Sequence, residues 1–161
     1  MVKKVAHLLA TEIYEEEGRR GSRHRWMSEY LSGHPWAQTF GAFDGNKLVG
    51  AIAWDVSDMS EERISLELCW IAVLEARRSE GIGARLVRET LPQFLQGDRV
   101  FKELELTTVW VISSAGSTGF YQKVLKPFRK LVVSDVWEYE VAEKDQTWFW
   151  ARVKDVLGSA V

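Results

Sequence analysis

The sequence predicts a mixed α/β fold in which helices pack against a sheet, and three local patterns support this prediction. Near the amino terminus, apolar residues recur at the spacing of an amphipathic helix. The pair Asp44-Gly45 separates two apolar runs, which is a strong hairpin signal. The apolar run 68–73 then leads to Gly81 and Gly83, so a buried strand is followed by a glycine loop and a helix.

The first half of the chain is predicted to contain two helices and three strands. The helices are marked by apolar positions at helical spacing, which are Val5, Leu8, Leu9 and Ile13 and then Trp26, Tyr30 and Leu31, with an end near Gly33. The strands are predicted at Thr39–Phe43, Lys47–Trp54 and Ile64–Val73, with a turn over Asp58–Arg63.

The second half continues the alternation of helices and strands. An apolar stripe predicts a helix from Ile82 to Leu95, which Pro92 should end or kink because proline removes a backbone hydrogen bond. The later elements are predicted as a strand at Lys102–Val111, a helix at Ser117–Leu125, a strand at Phe128–Val133 and a final hairpin that joins Trp137–Val141 to Trp148–Trp150.

Length and composition favour one domain over residues 1–161. A chain of 161 residues buries about two thirds of its unfolded surface, and 46% apolar residues argue against disorder. Apolar runs stay well below the roughly 18 residues that span a bilayer, and Met1–Lys4 does not resemble a signal peptide. We therefore expect a cytoplasmic protein without a membrane partner.

Cysteine, histidine and charge content exclude further classes. Cys69 is the single cysteine, so an internal disulfide is excluded and a buried, inert thiol is expected. The histidines are scattered and no metal is predicted, while a net charge of −2 argues against a nucleic-acid partner. The basic stretch Arg19–Arg25 follows Glu15–Glu17 and is interpreted as a solvated linker; the alternative is a mobile loop that contacts an acidic substrate.

The glycine loop after the central strand has the properties of an anion site. Glycines allow close backbone approach, and the first N–H groups of a helix attract phosphate. A P-loop is disfavoured because Gly83 is followed by Ala84 rather than lysine. A dinucleotide-binding loop would have a third glycine where Leu86 stands, although Glu103 and Glu105 lie where a ribose-binding acid would be.

Two blocks of the sequence resemble the GNAT (Gcn5-related N-acetyltransferase) superfamily. The first is Glu67–Val73 followed by Arg78, Gly81 and Gly83, which is similar to the family pattern Glu-Ile-x-x-Leu-Ala-Val and then Arg/Gln-x-x-Gly-x-Gly/Ala. The second is Gly119–Lys123, which is similar to the family's Phe-Tyr-x-Lys helix. The resemblance implies a GNAT-like, mostly antiparallel sheet of about six to seven strands in three α/β/α layers.

The sequence departs from the family pattern at three places. The strand that usually precedes the first helix is either reduced to Met1–Lys4 or absent. Ser114 stands where the family commonly has asparagine, and Phe128 comes two positions later than the usual aromatic residue. We expect a local difference in the turn after the Phe-Tyr helix.

The resemblance implies acetyl-CoA as co-substrate and no metal. In the family, the loop amides hold the CoA pyrophosphate, and the preceding strand pairs with the pantetheine arm like an added strand. The cofactor-binding residues carried over to this chain are Ile71, Ala72, Val73, Arg78, Ser79, Gly81, Ile82, Gly83, Ala84 and, with one hydrogen bond, Ser114. Arg77 or Arg78 would add positive charge.

The resemblance also implies catalytic roles for two side chains. Tyr121 matches the tyrosine that protonates the CoA thiolate in many members, and Glu67 matches a glutamate that acts as base in several. A backbone N–H near Ile71 or Ala72 would polarise the thioester carbonyl. As a strand residue, Glu67 should share a partly apolar face with Cys69 and Ile71, where its pKa can rise.

Several alternatives remain open at this point. Asp55 and Glu105 are lesser candidates for the base, and binding of a neutral amine would need no base. The predicted function is N-acetyl transfer to a primary amine of a small molecule or protein. The alternatives are a non-catalytic acyl-CoA-binding module and a nucleotide-dependent oxidoreductase. The sequence selects neither the acceptor nor the oligomeric state, and a homodimer is one option.

Overall fold

Helices and strands alternate along the chain as its periodicity predicts. The computed structural model describes residues 1–13, 17–60, 64–96, 107–113, 117–125, 129–133 and 146–158. The helices in these ranges are α1 (Val2–Ile13), α2 (Glu17–Gly33), α3 (Ile82–Gln96), α4 (Thr118–Val124) and α5 (Val153–Gly158). The strands are β1 (Gln38–Asp44), β2 (Lys47–Met59), β3 (Ile64–Val73), β4 (Thr107–Ser113), β5 (Arg129–Val133) and β6 (Gln146–Arg152).

The strands of the described ranges form one six-stranded sheet in the order β1-β2-β3-β4-β6-β5. β3 and β4 run parallel, and the other neighbouring pairs run antiparallel. The first hairpin turns at Gly45, whose φ of 57° is easy for glycine. The predicted mixed, mostly antiparallel sheet flanked by helices is therefore confirmed.

The two faces of the sheet bury different kinds of side chain. On one face, large apolar residues such as Trp54, Leu66 and Phe149 pack with Leu91 and Phe94 of α3. On the other face, the sheet presents small residues. These are Ala51, Ala53 and Ala72, and they pack with Val5 and Leu9 of α1 and Met27 of α2. Small side chains allow α1 to lie close to the sheet.

The helices differ from the sequence-based expectation in four respects. α2 begins at Glu17, so the predicted linker over Arg19–Arg25 is wrong. Val2 already belongs to α1, so a first strand over Met1–Lys4 is not formed. Pro92 lies inside α3 and does not end it, since the helix continues to Gln96. α5 was not predicted because six residues are too short to show a helical period.

The strands agree more closely with the expectation. β3 has the predicted bounds, whereas β2 extends to Met59, beyond the predicted end at Trp54. The last antiparallel pair is formed by β5 and β6, with Leu131 opposite Trp148. The predicted hairpin strand Trp137–Val141 lies outside the described residues.

Candidate active site

The centre of the sheet opens between its two parallel strands. β3 pairs with β4 only from Ile64 opposite Thr107 to Glu67 opposite Trp110. Beyond this point β4 continues along β6 to Ser113, whereas β3 continues along β2 to Val73. Among the described residues, the edge of β3 that faces β4 therefore has no strand partner over residues 68–73. Ile71, Ala72 and Val73, three predicted cofactor-binding residues, lie on this edge.

A β-bulge in β3 changes which side chains face the helices. Ala53 of β2 is opposite Trp70, but the next residue, Trp54, is opposite Leu68, so Cys69 is the extra residue. Cys69 and Trp70 consequently both pack with the α1 and α2 side, whereas Ile71 packs with the α3 side. The expectation that Glu67 shares a face with Ile71 is therefore wrong, because the bulge reverses the alternation.

The glycine loop continues directly from this open edge into α3. Ser79 and Gly81 have positive φ values of 72° and 77°, and α3 begins at Ile82. Arg85 N–H donates to the carbonyl of Gly81 at 3.0 Å, which is the first bond of the helix. The N–H groups of residues 82–84 thus have no partner within the helix, and they form the positive end of its dipole. The backbone here has the geometry of an anion site.

The two loop glycines are required for different reasons. Gly81 needs its positive φ, and a Cβ built there would meet nothing within 4 Å. A Cβ on Gly83 would lie 3.0 Å from Cε2 of Phe120 on α4. Gly83 therefore allows α3 and α4 to pack, which the sequence pattern did not predict.

Ion pairs hold the loop against the rest of the protein. Arg78 donates to Glu12 Oε2 at 3.1 Å and to the Val73 carbonyl at 3.3 Å. Glu12 Oε2 also accepts the backbone N–H of Glu75 at 3.0 Å. Arg77 contacts Asp44 and Glu80, each at 2.7 Å. Both guanidinium groups are thus engaged with carboxylates.

Tyr121 lies in the apolar core on the α3 side. Its side chain is 6% exposed and packs with Phe120, at 5.1 Å between ring centroids, and with Phe149, at 6.2 Å. Burial raises the pKa of Tyr121 above its ordinary value of 10.0. The phenol therefore stays protonated at neutral pH and has a proton to donate.

Glu67 lies on the opposite face, at the point where β3 and β4 separate. Burial, followed by the nearby charge of Asp55, raises the pKa of the half-buried Glu67 from 4.5 to about 7, and His34 opposes this shift. A carboxylate that titrates near neutral pH has the basicity required of a general base.

A cluster of polar side chains surrounds Glu67. Asp55 of β2 lies opposite Glu67 of β3 and is 1% exposed. The carboxylate of Asp55 accepts the hydroxyl of Tyr30 at 2.5 Å and the backbone N–H of Val56 at 2.7 Å, and His34 Nδ1 lies 2.9 Å from it. The ring of Tyr30 stacks on that of His34 at 5.0 Å between centroids.

This cluster was not predicted from the sequence, although one signal was available. Tyr30 lies in the last turn of α2 and His34 directly follows the helix, and their spacing of four residues places them on the same side. Nothing in the local sequence indicated that this face meets Asp55 on β2. Asp55 was considered only as a lesser base candidate.

Aromatic side chains border the cluster. Trp70 meets Tyr30 and Trp26 edge to face, each at 5.4 Å between centroids. Trp26 is 45% exposed, and the guanidinium of Arg23 lies 5.8 Å from its ring centroid. An aromatic group that extends to the exposed Trp26 thus lies beside the polar cluster.

Two predicted site residues, Ser114 and Glu105, lie outside the described residues. Within the described ranges, no three His, Cys, Asp or Glu side chains are placed to hold a metal ion. None of the described helices is long and apolar enough to span a membrane.

Comparison with protein families supplies the decisive observation. Residues 3–126, which reach from α1 to the end of α4, match the family described as "Acetyltransferase (GNAT) family". The chain belongs to the GNAT acetyltransferase family. This GNAT protein is accordingly an acyltransferase, as the two sequence blocks predicted. No curated protein sequence matches the chain.

Solved structures share the fold of this GNAT protein at low sequence identity. An acetyltransferase from Bacillus subtilis in complex with CoA is 17% identical, with a TM-score of 0.61 over 93% of this chain and 91% of that one. A chimera of Vibrio cholerae spermidine N-acetyltransferase with hSSAT is 12% identical, with a TM-score of 0.64 over 96% and 92%. Arabidopsis thaliana Naa50, in complex with the bisubstrate analogue CoA-Ac-MVNAL, is 17% identical, with a TM-score of 0.53 over 70% of each chain.

Proposed function

We propose that this protein transfers the acetyl group of acetyl-CoA to a primary amine of a small molecule or a protein. One observation supports the proposal above all others. Within the described part of the chain, the edge of β3 beyond Glu67 has no strand partner, and it leads directly to the N–H groups at the start of α3 that have no partner within the helix. An extended amide-containing arm that ends in a pyrophosphate matches both features. The family membership supports acetyl transfer in general.

Acetyl-CoA would bind through the protein backbone. The N–H groups of residues 82–84 would hold the pyrophosphate, because they are unpaired within α3 and lie at its positive dipole end. The pantetheine amides would pair with the edge of β3 at Ile71, Ala72 and Val73, in the manner of an added strand. The B. subtilis structure with CoA shares this fold and is consistent with the assignment.

The reaction would need a deprotonated amine, a stabilised oxyanion and a protonated leaving thiolate. The acceptor ammonium loses a proton to Glu67, and its nitrogen then attacks the thioester carbonyl. A backbone N–H at Ile71 or Ala72 stabilises the oxyanion of the tetrahedral intermediate. The C–S bond then breaks and Tyr121 gives its proton to the leaving thiolate, while the nitrogen loses its second proton, which converts the Tyr121 phenolate back to the phenol. The pKa of Glu67, raised to about 7, and the protonated state of Tyr121 suit these roles.

The acceptor entrance would lie on the α1 and α2 side of the sheet. There the carboxylates of Asp55 and Glu67 favour a positively charged ammonium, and the aromatic rings of Trp26 and Trp70 suit a cation. One structural neighbour is a spermidine acetyltransferase and another carries a peptide-based analogue. Both small-molecule and peptide amines therefore remain within the proposal.

Thermal unfolding with and without cofactor tests the binding step. Acetyl-CoA should raise the unfolding midpoint, since a ligand at 100 times its Kd stabilises the folded state by about 2.7 kcal/mol. NAD and ATP serve as controls and should leave the midpoint unchanged. A shift with NAD instead would favour the oxidoreductase alternative, and no shift at millimolar acetyl-CoA would contradict the proposed site.

A further inference from the structure

A buried carboxylate holds His34 at the boundary between the polar cluster and solvent. The Nδ1 atom lies 3.0 Å from Asp55 Oδ1 and 2.9 Å from Oδ2. The side chain of Asp55 is 1% exposed, whereas that of His34 is 38% exposed. The imidazole thus connects the interior of the site to the surface.

The surroundings of Asp55 determine how the imidazole is protonated. Asp55 accepts hydrogen bonds from Tyr30 and from the backbone of Val56, so its oxygens act as acceptors. We therefore assign the donor role to Nδ1 of His34, which faces the same carboxylate. The neutral ring then has its lone pair on Nε2, which is free to accept another proton.

Glu67 lies opposite Asp55 in the pairing of β2 with β3, and the imidazole of His34 contacts that same Asp55. The charge of His34 lowers the pKa of Glu67, against the raising effects of burial and of Asp55. A positive His34 therefore favours release of the proton from Glu67. The interaction therefore favours an ionised Glu67 beside a protonated His34, which is the state that a proton transfer from Glu67 to His34 produces.

The other titratable groups of the cluster are unsuitable as proton acceptors. Burial raises the pKa of the Cys69 thiol and that of the Tyr30 phenol above their ordinary values. Both groups stay protonated at neutral pH. Asp55 has its oxygens occupied by Tyr30, Val56 and His34. His34 is the group of the cluster that is both able to accept a proton and open to solvent.

We propose that His34 relays to solvent the proton that Glu67 takes from the acceptor amine, and that Asp55 and Tyr30 position its ring. The N–H bond of the ammonium breaks and the proton moves to Glu67. It then passes to Nε2 of His34, directly or through a water molecule, and from there to bulk water. No redox change is involved, and the ionised Glu67 is restored for the next turnover. This inference rests on the proposed function.

The test compares His34→Gln with the wild type in steady-state thiol release at low buffer concentration. Glutamine keeps an amide donor for Asp55 but cannot relay a proton. We expect kcat to fall about tenfold, the KM for acetyl-CoA to stay unchanged, and added imidazole to restore kcat in proportion to its concentration. His7→Gln, an exposed histidine on α1, is the matched control and should have no effect.

A second variant tests whether Asp55 positions the relay. In Asp55→Asn, His34 is retained but its carboxylate partner is lost, so kcat should fall and imidazole should again raise it. An unchanged kcat in His34→Gln would overturn the relay, as would a fall in kcat that imidazole does not reverse. If the wild type itself releases no thiol with any amine, the proposed function fails, which is distinct from failure of the relay.

Discussion

The two faces of the central strands serve different purposes, and consecutive residues of β2 illustrate the contrast. Trp54 points to the α3 side, where it is fully buried and its indole N–H donates to Thr90 at 2.7 Å. Asp55 points to the α2 side, where it holds Tyr30 and His34 beside Glu67. One face therefore supplies most of the large apolar core, and the other places titratable groups at the opening of the sheet.

This contrast has a consequence for mutagenesis. Changes on the α3 side should act mainly on the free energy of unfolding, whereas changes on the α2 side should act mainly on turnover. Tyr121 is the exception, because it is a proposed catalytic group within the apolar side.

The largest expected effect is on stability. Phe94→Ala removes a fully buried ring from the α3 side and should lower the free energy of unfolding by about 3 to 5 kcal/mol. Urea denaturation measures this change. Phe43→Ala is the control, because Phe43 is 48% exposed and its loss should change stability much less. Equal losses in the two variants would contradict the assignment of the core.

Glu67→Gln should give the largest effect on turnover. Loss of a general base lowers kcat by about 100-fold or more, while affinity for acetyl-CoA should be unchanged because the backbone holds the cofactor. Thiol release and the cofactor-induced rise in the unfolding midpoint measure the two quantities. Glu29→Gln, at an exposed position of α2, is the control. Full activity in Glu67→Gln would exclude Glu67 as the base.

The pH dependence should differ in sign between activity and stability. The pKa of Glu67 is raised from 4.5 to about 7, so the folded state holds this proton more tightly than the unfolded chain. Its stabilising contribution is complete below pH 4.5 and is lost as the pH rises through about 7. Activity should rise over the same upper range, as Glu67 ionises. In Glu67→Gln both trends should weaken, as shown by pH series of the unfolding midpoint and of kcat.

Tyr121→Phe tests the one proposed catalytic side chain on the apolar α3 side of the sheet. The change removes one hydroxyl from a buried ring, so packing with Phe120 and Phe149 should persist. We expect kcat to fall about tenfold if the phenol protonates the leaving thiolate, with acetyl-CoA affinity retained. A lower kcat with an unchanged unfolding midpoint would support the catalytic role. A kcat equal to that of the wild type would assign Tyr121 to packing alone.

The smallest expected effect is that of Gly81→Ala. Alanine is strained at a φ of 77°, so the free energy of unfolding should fall by about 1 kcal/mol, and the displaced loop amides should bind acetyl-CoA more weakly. Gly119→Ala is the matched control, since Gly119 lies in α4 and a Cβ there meets nothing within 4 Å. That change should preserve or slightly raise stability.

Local sequence patterns predicted much of the fold. β3, the Gly45 hairpin and the helix after the glycine loop each depend on residues close together in the chain, so periodicity and turn chemistry were sufficient. The bulge at Cys69 was missed because it is defined by pairing with β2, and the alternation rule alone placed Ile71 on the wrong face.

The candidate site was predictable only in part. The family resemblance pointed to Glu67, Tyr121 and the loop, whereas the contact between His34 and Asp55 joins residues 21 positions apart. Such a contact arises from packing of α2 on the sheet, which no local pattern encodes. The packing of Gly83 against Phe120 is a further tertiary feature of this kind.

Amine-dependent thiol release by the wild-type protein tests the central claim most directly. Acetyl-CoA would be mixed with a set of primary amines and short peptides, and the acetylated product identified by mass spectrometry. The account predicts thiol release that requires an amine and yields an N-acetyl product. Binding of acetyl-CoA without amine-dependent release would contradict it and would leave an acyl-CoA-binding module as the better description.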